Sequence, residues 1–348
     1  MLKRCAIVFD VGKTNAKLTL WDPQGRPLQR RVRTNEVIHT GSFRALDAKG
    51  IEQWLAATLT EFARHADVEA IIPVGHGAAG ALVRDDHLFA PPMDYEQTID
   101  AAEREEYASQ RDGFRETGSP LLPQGLNLGM QLHHLERVLG PWPDDLRILP
   151  WPQYWAWRLS GVMASEVTSL GCHSDLWHPL AAGFSTLAQR RGWAQRMAPL
   201  RRAGDTLSTL TPEWVSRTGL PKDCVVLCGL HDSNAALLAA RGHPEIRDHD
   251  ATVLSTGTWF VAMRSPSNSS APDVAALDEK RDCLINVDVA GRPIPSARFM
   301  GGLEAELIGQ LNIHALTVNY EPGRLIERLP AVLATGAAAL PTFARGFG

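Results

Sequence analysis

This chain of 348 residues has little that points to secretion, membranes or nucleic acid. It has only five cysteines, at positions 5, 172, 224, 228 and 283. The number is odd and the set is scattered, so no disulfide framework is implied. Cys224 and Cys228 stand four apart, but Val225-Val-Leu227 between them reads as a buried strand. With no second ligand pair in view, that spacing argues against a metal site. Cys172, His173, Asp175 and His178 match no common metal spacing either and read as structural. No basic surplus exists: Lys and Arg number 35 against 39 Asp and Glu, a net charge of −4, which argues against a general nucleic-acid binder. No apolar run reaches the roughly 18 residues of a membrane span. No charged-then-apolar leader with a cleavage site opens the chain, so the cytoplasm is the default compartment. Short repeats, charge blocks and low-complexity tracts are missing as well.

What is present describes an ordinary globular chain, 44% apolar and 21% charged. The length is long for one domain and comfortable for two. Cys5–Phe9 is an apolar run of buried-strand length. Asn15–Trp21 alternates, with Ala16, Leu18 and Leu20 on one face, and reads as its hairpin partner. Asp22-Pro-Gln-Gly25 is a turn by composition, and Leu28–Val37 reads as a third strand. Ile51, Trp54, Leu55, Leu59 and Phe62 form one helical stripe. Val68–Val74 then makes a strand ending at Gly75-His-Gly77. Residues 104–147 are polar, with one helical segment around Met130–Val138. Gln153–Leu159 is aromatic-rich and stops at Ser160-Gly161. Leu187–Leu200 reads as helix, Val225–Leu230 as strand and Ser233–Ala240 as helix. Arg241–Asp250 is a charged connector suited to a domain boundary.

Late in the chain, Ala251–Arg264 repeats the design of the first twenty residues: a strand, a small polar turn with a glycine, and a second alternating strand. A turn centred on glycine lets backbone N–H groups approach an anion closely. Two such hairpins suggest two related domains facing one phosphate chain. Asp10-Val-Gly-Lys-Thr14 is not a P-loop, since that motif needs a glycine where Ile7 stands. It offers instead Gly12 and Thr14 to a phosphate, and Asp10 to a hydrated Mg²⁺; an ordinary turn with a surface Asp is the plainer alternative. Ser255-Thr-Gly-Thr258 makes the same offer again. Asp232 ends a buried strand between His231 and Ser233. It reads as a general base, as a helix N-cap, or as both. His76, in its glycine-rich loop, and Asp94, in Pro91-Pro-Met-Asp-Tyr-Glu96, are candidate polyol contacts or, alternatively, a structural His and a solvated loop acid.

Together these residues resemble the FGGY carbohydrate kinases, in the superfamily of actin, hexokinase and the large heat-shock chaperones. Phe9-Asp-Val-Gly-Lys-Thr-Asn-Ala-Lys17 is similar to the first phosphate motif, Gly229-Leu-His-Asp-Ser-Asn-Ala235 to the segment with the catalytic Asp, and Leu254-Ser-Thr-Gly-Thr-Trp259 to the second phosphate motif. Tyr154–Gly161 with Glu166 and Thr168 is similar to a helix and loop near the sugar site. His-Asp before a small-residue helix, and Trp259, lean toward the rhamnulokinase and fuculokinase branch. The resemblance implies an α/β fold of ribonuclease-H-like type with a cleft between two domains, 1–245 and 246–348. It implies ATP and Mg²⁺, with Asp10 and Asp232 toward the metal and Asp232 as base. Asp10, Gly12, Lys13, Thr14, Lys17, Ser255, Thr256, Gly257 and Thr258 would hold the nucleotide. His76, Asp94, His231 and Asp232 would meet a ketose such as L-rhamnulose or L-fuculose. A homodimer is the family's frequent habit. A sugar sensor of the same fold without turnover, or an ATPase of the actin or chaperone kind, are the other readings. Two departures stand out: the loop Gly75–Gly80 lacks a common Gln, and Tyr95-Glu96 follows Asp94 where many members place an Arg. Family members are also longer, so the second domain is expected to be incomplete and to lack the adenosine motif.

Overall fold

Buried and half-buried side chains alternate along the strand Lys3–Val11, with Cys5, Ile7, Phe9 and Val11 facing the core. A period of two puts one strand face inward. Asn15–Trp21 pairs with it antiparallel, placing Asp10 opposite Lys17, and buries Ala16, Leu18 and Leu20. The computed structural model describes residues 3–257, 259–267, 272–309 and 322–336. Asp22 closes the next turn by accepting from the Gln24 and Arg26 N–H groups at 3.0 and 2.9 Å. The third strand runs Pro27–Thr34 rather than to Val37. Val37–His39 turns away to pair with Arg44–Leu46.

Helix Ala48–Ala63, whose N-cap Asp47 accepts from the Gly50 N–H, lays Ile51, Leu55, Leu59 and Phe62 on the sheet. The chain returns as Ala66–Gly75, parallel to the first strand. The sheet order is Thr206–Thr209, Val225–Leu227, Ala66–Gly75, Lys3–Val11, Asn15–Trp21, Pro27–Thr34, with Leu230–His231 also on Ala66–Gly75. Helix Trp151–Ser160 stops at Gly161 in the left-handed region and seats Trp155 edge-on against Phe9 at 5.3 Å.

Three expectations need correction. The strand over Val225–Leu230 is broken: pairing stops at Leu227 and resumes at Leu230, with Gly229 at φ +79° between. Leu187–Leu200 is not one helix but two short ones, Thr186–Arg190 and Trp193–Arg196, separated by left-handed Gly192. The polar stretch after residue 104 holds most of a second helix, Ala101–Gln110, capped by Asp100 and anchored by buried Glu103 and Tyr107. Its low apolar content hid it.

A second, antiparallel sheet has the order Ala251–Ser255, Phe260–Ser265, Pro293–Phe299, Cys283–Val287. Its first two strands form a hairpin, as do Lys3–Val11 and Asn15–Trp21. Helix Asp232–Arg241 leaves the first sheet and buries Leu237 against Met263 and Ile294 of the second. Ile285 donates its N–H to the Gly118 carbonyl at 2.8 Å, and Val287 joins the cluster containing Leu170. Among the described residues no helix is long and apolar enough to cross a membrane.

Candidate active site

Strand register assembles the site. Val11 and His231 both pair with Gly75, so Asp10, His76 and Asp232 lie along one rim, at the carboxyl ends of three parallel strands. Open α/β sheets bind ligands at such an edge. The break at Gly229 aligns the third strand. A Cβ there would land on the Pro73 carbonyl oxygen, and the positive φ also demands glycine. Gln153 holds the break by donating to the Cys228 and Gly229 carbonyls at 3.2 and 3.1 Å.

Asp232 is the first residue of its helix, and His231 is the N-cap, so the capping alternative for Asp232 does not hold. Its carboxylate side chain keeps 37% exposure. Burial pushes it up to about 6, against the opposing pull of the Ser233 N–H and the Lys17 charge. His231 is buried and pushed down to about 4 by desolvation, so it is neutral near pH 7. Asn234 lies 3.2 Å from its Nδ1, and Nε2 lies 3.2 Å from Asp232 Oδ1. With the Asn234 amide donating to Nδ1, the ring proton sits on Nε2 and points at Asp232.

Behind His231 stands a buried carboxyl. The His231 N–H donates to Thr168 Oγ1 at 3.0 Å, and that hydroxyl donates to Glu166 Oε2 at 2.5 Å. Glu166 also accepts from the Thr168 and Ser169 N–H groups, yet burial still pushes it up to about 7. Asn234, Gln153 and the Glu166–Thr168 linkage to His231 were not assigned roles from sequence. The signal in the sequence is that Glu166 and Thr168 belong to the segment similar to a helix and loop near the sugar site, and Asn234 to the segment similar to that of the catalytic Asp.

Asp10 is raised first by burial and further by the charge of Asp232, while Lys17 at 3.1 Å opposes both. The adjoining turn is held by Asn35, which donates from Nδ2 to the Gly12 carbonyl at 2.9 Å and from its N–H to the Thr14 carbonyl at 2.8 Å. Lys13, expected to hold the nucleotide, is directed into the neighbouring loop, where it pairs with fully buried Asp94 and lies 3.5 Å from Glu96. Asp94 is therefore no solvated loop acid. Burial alone would raise its carboxyl, but Lys13, the Glu96 N–H and Arg44 at 3.0 Å outweigh that and hold it low. His76 sits beside it, packed edge-on against Tyr95 at 5.7 Å and pushed down to about 3, by burial first and then by the Lys13 charge. Neither His76 ring nitrogen has a partner among the described residues. Gln131 fixes this loop by donating to the Ala78 and Gly125 carbonyls.

On the second sheet, Ser255 ends the strand and Thr256 and Gly257 follow it into the hairpin turn; among the described residues beyond its chain neighbours, nothing lies nearer than 3.8 Å to a Cβ built at Gly257. Thr258 lies outside the described residues. Trp259 packs onto the cluster Ala78, Tyr95, Leu122 and Leu126. The Cys172–His178 residues each have other engagements. Cys172 Sγ faces the Ser169 carbonyl and His173 Nδ1 the Leu126 carbonyl. Asp175 holds Tyr107 and Arg111, and His178 Nδ1 accepts from the Ala181 N–H.

The arrangement has counterparts. The family model for the carbohydrate kinase FGGY C-terminal domain matches residues 248–348. The crystal structure of a carbohydrate kinase from Novosphingobium aromaticivorans is 51% identical, with TM-score 0.87, over 100% of this chain and 74% of that one. This chain is a member of the FGGY carbohydrate kinase family. FGGY kinases have the two-domain fold of the actin and hexokinase superfamily, and more distant solved structures share it. A xylulose kinase from Rhodospirillum rubrum has TM-score 0.72 at 17% identity, over 97% of this chain and 68% of that one. The glycerol kinase of Plasmodium falciparum with ADP has TM-score 0.71 at 9% identity, over 95% of this chain and 67% of that one. The chain thus spans between two thirds and three quarters of the length of these three kinases. No curated protein sequence matches it.

Proposed function

We propose that this FGGY kinase chain transfers the γ-phosphate of ATP to a hydroxyl of a ketose, with Asp232 as general base. The observation carrying this reading is the rim itself: a carboxylate raised to about 6 by burial, 3.2 Å from the buried His231 ring, on the same rim as His76, whose ring nitrogens have no partner among the described residues. A base near the working pH can accept a proton without being permanently protonated. The substrate hydroxyl gives its proton to Asp232, and its oxygen attacks the γ-phosphorus as the bond to the leaving ADP oxygen breaks. His231 Nε2–H steadies the Asp232 carboxylate and fixes its rotamer. Neutral His76 offers one donor and one acceptor, which suits a polyol hydroxyl. Gly12 and Thr14 on one side, and Ser255, Thr256 and Gly257 on the other, cradle the phosphates; Thr258, expected with them, lies outside the described residues. Lys17 adds positive charge beside Asp10.

A Mg²⁺ ion fits the donor set. Asp10 and Asp232 present hard oxygen ligands at one rim, and burial raises both carboxyls, a cost that a bound cation would relieve. When bound, the ion would neutralise phosphate charge as the ADP oxygen leaves. The domain division 1–245 and 246–348 fits two separate sheets, with helix Asp232–Arg241 spanning them. Trp259 after Ser-Thr-Gly-Thr, and His231-Asp232 before a small-residue helix, favour a rhamnulokinase-like or fuculokinase-like substrate.

Thermal unfolding against L-rhamnulose, L-fuculose and D-xylulose tests the acceptor class. A ketose at 100 times its Kd should stabilise the chain by about 2.7 kcal/mol. Asp232→Asn should keep that shift while losing phosphoryl transfer. If no ketose shifts the parent and Mg-ATP is hydrolysed regardless of sugar, the ATPase reading takes its place.

A further inference from the structure

Tyr95 touches more of this site than a loop aromatic needs to. Its ring lies 5.7 Å edge-on from His76, in the pocket proposed for the sugar. Lys13, from the first phosphate turn, sits over the same ring at 5.1 Å from its centroid. Trp259, directly after the second phosphate turn, packs against the buried cluster that holds Tyr95. Beyond Trp259, the Arg298 guanidinium stacks at 4.7 Å on the indole face and pairs with Asp282 at 3.1 Å. A continuous aromatic and cationic path therefore runs from His76 through Tyr95 to the second sheet. The loop carrying Tyr95 is pinned through its neighbours: Asp94 is held by Arg44 and Lys13, and Gly125 donates its N–H to the Tyr95 carbonyl at 2.9 Å.

We propose that Tyr95 is a positioning residue that ties the sugar pocket to both phosphate turns, through Lys13 on one side and Trp259 on the other. The inference rests on the sugar-kinase reading above. A ketose settling against His76 braces the buried Tyr95 ring. The braced ring keeps its hold on Lys13 and Trp259, which steadies the two turns over the phosphates. Sugar occupancy so favours the closed cleft, where water competes less well as acceptor. Tyr95 contacts neither the reacting oxygen nor the phosphorus in this account. It acts through its neighbours.

Hydrogen exchange with and without saturating L-rhamnulose, L-fuculose or D-xylulose tests the proposal without requiring turnover. In the parent, sugar should slow amide exchange in residues 11–17 and in residues 250–257 by about fivefold or more. Trp259→Leu should lose the effect in 250–257 and keep it in 11–17. Tyr95→Leu should lose both while a thermal shift still reports bound sugar, and Tyr95→Phe, which keeps the ring contacts, should restore both. Full sugar-dependent protection of 250–257 in Trp259→Leu, or of both segments in Tyr95→Leu, overturns the proposal. So does a parent that binds a ketose with no change in either turn, which leaves the kinase reading standing. A parent that binds no ketose overturns that reading and this proposal with it.

Discussion

Asp232 must be ionised to take a proton, and its carboxyl is pushed up to about 6 by burial. The turnover rate should therefore rise with pH through about 6 and level above it, as a rate–pH profile will show. Asp232→Asn should cost roughly 10²–10⁴-fold in kcat, the usual contribution of a general base. Glu166 makes a second prediction, about stability. Its folded pKa is raised to about 7 from 4.5. A raised carboxyl favours the folded state in its protonated form, so this stability is fully present below pH 4.5 and fades as pH rises through about 7. Glu166→Gln removes the titration. Relative to the parent, the variant should gain up to about 3 kcal/mol in urea unfolding between pH 4.5 and pH 8, at about 1.4 kcal/mol per pKa unit. A flat difference would show that Glu166 titrates normally. Asp94 is fully buried and Lys13 half-buried beside it. Lys13→Met strands part of the Asp94 charge and should cost about 2–4 kcal/mol in denaturant unfolding, softened by the remaining Arg44 pair.

At the scale of elements, the break at Gly229 sets where His231 and Asp232 emerge. Gly229→Ala meets both a positive φ and the Pro73 carbonyl. It should lower stability by about 2–4 kcal/mol, read from denaturant unfolding, and lower kcat further by shifting Asp232. This break shows where sequence reading stops. Asn15–Trp21 was legible to the residue because its alternation is strict and one face is buried. The stripe of Ala48–Ala63 was legible for the matching reason. The break in Val225–Leu230 was not, because nothing local distinguishes a paired apolar residue from one held by Gln153 of a distant helix. Helix Ala101–Gln110 was missed because it is anchored by a polar residue, Glu103, which meets His134 at 2.9 Å. In the site, Asp10, His76, His231 and Asp232 were legible, since each ends a recognisable strand. The pairing of Lys13 with Asp94 was not, because it joins residues 81 apart through charge alone.

Over the whole molecule, the two sheets meet through helix Asp232–Arg241, the Ile285 contact and the Trp259 cluster. The helix that begins with the proposed base also carries Leu237 into the second sheet. Motion of one sheet against the other is thus linked to the position of Asp232, which suits an enzyme that must shut out water before transfer. The central claim is that this rim moves a phosphoryl group onto a sugar. The most direct measurement is transfer of ³²P from γ-labelled ATP in the presence of Mg²⁺ and a panel of ketoses, for the parent and Asp232→Asn. The account predicts a labelled sugar phosphate from at least one ketose, dependent on that ketose and lost in the variant. Label released only as inorganic phosphate, at the same rate with and without sugar, would contradict it.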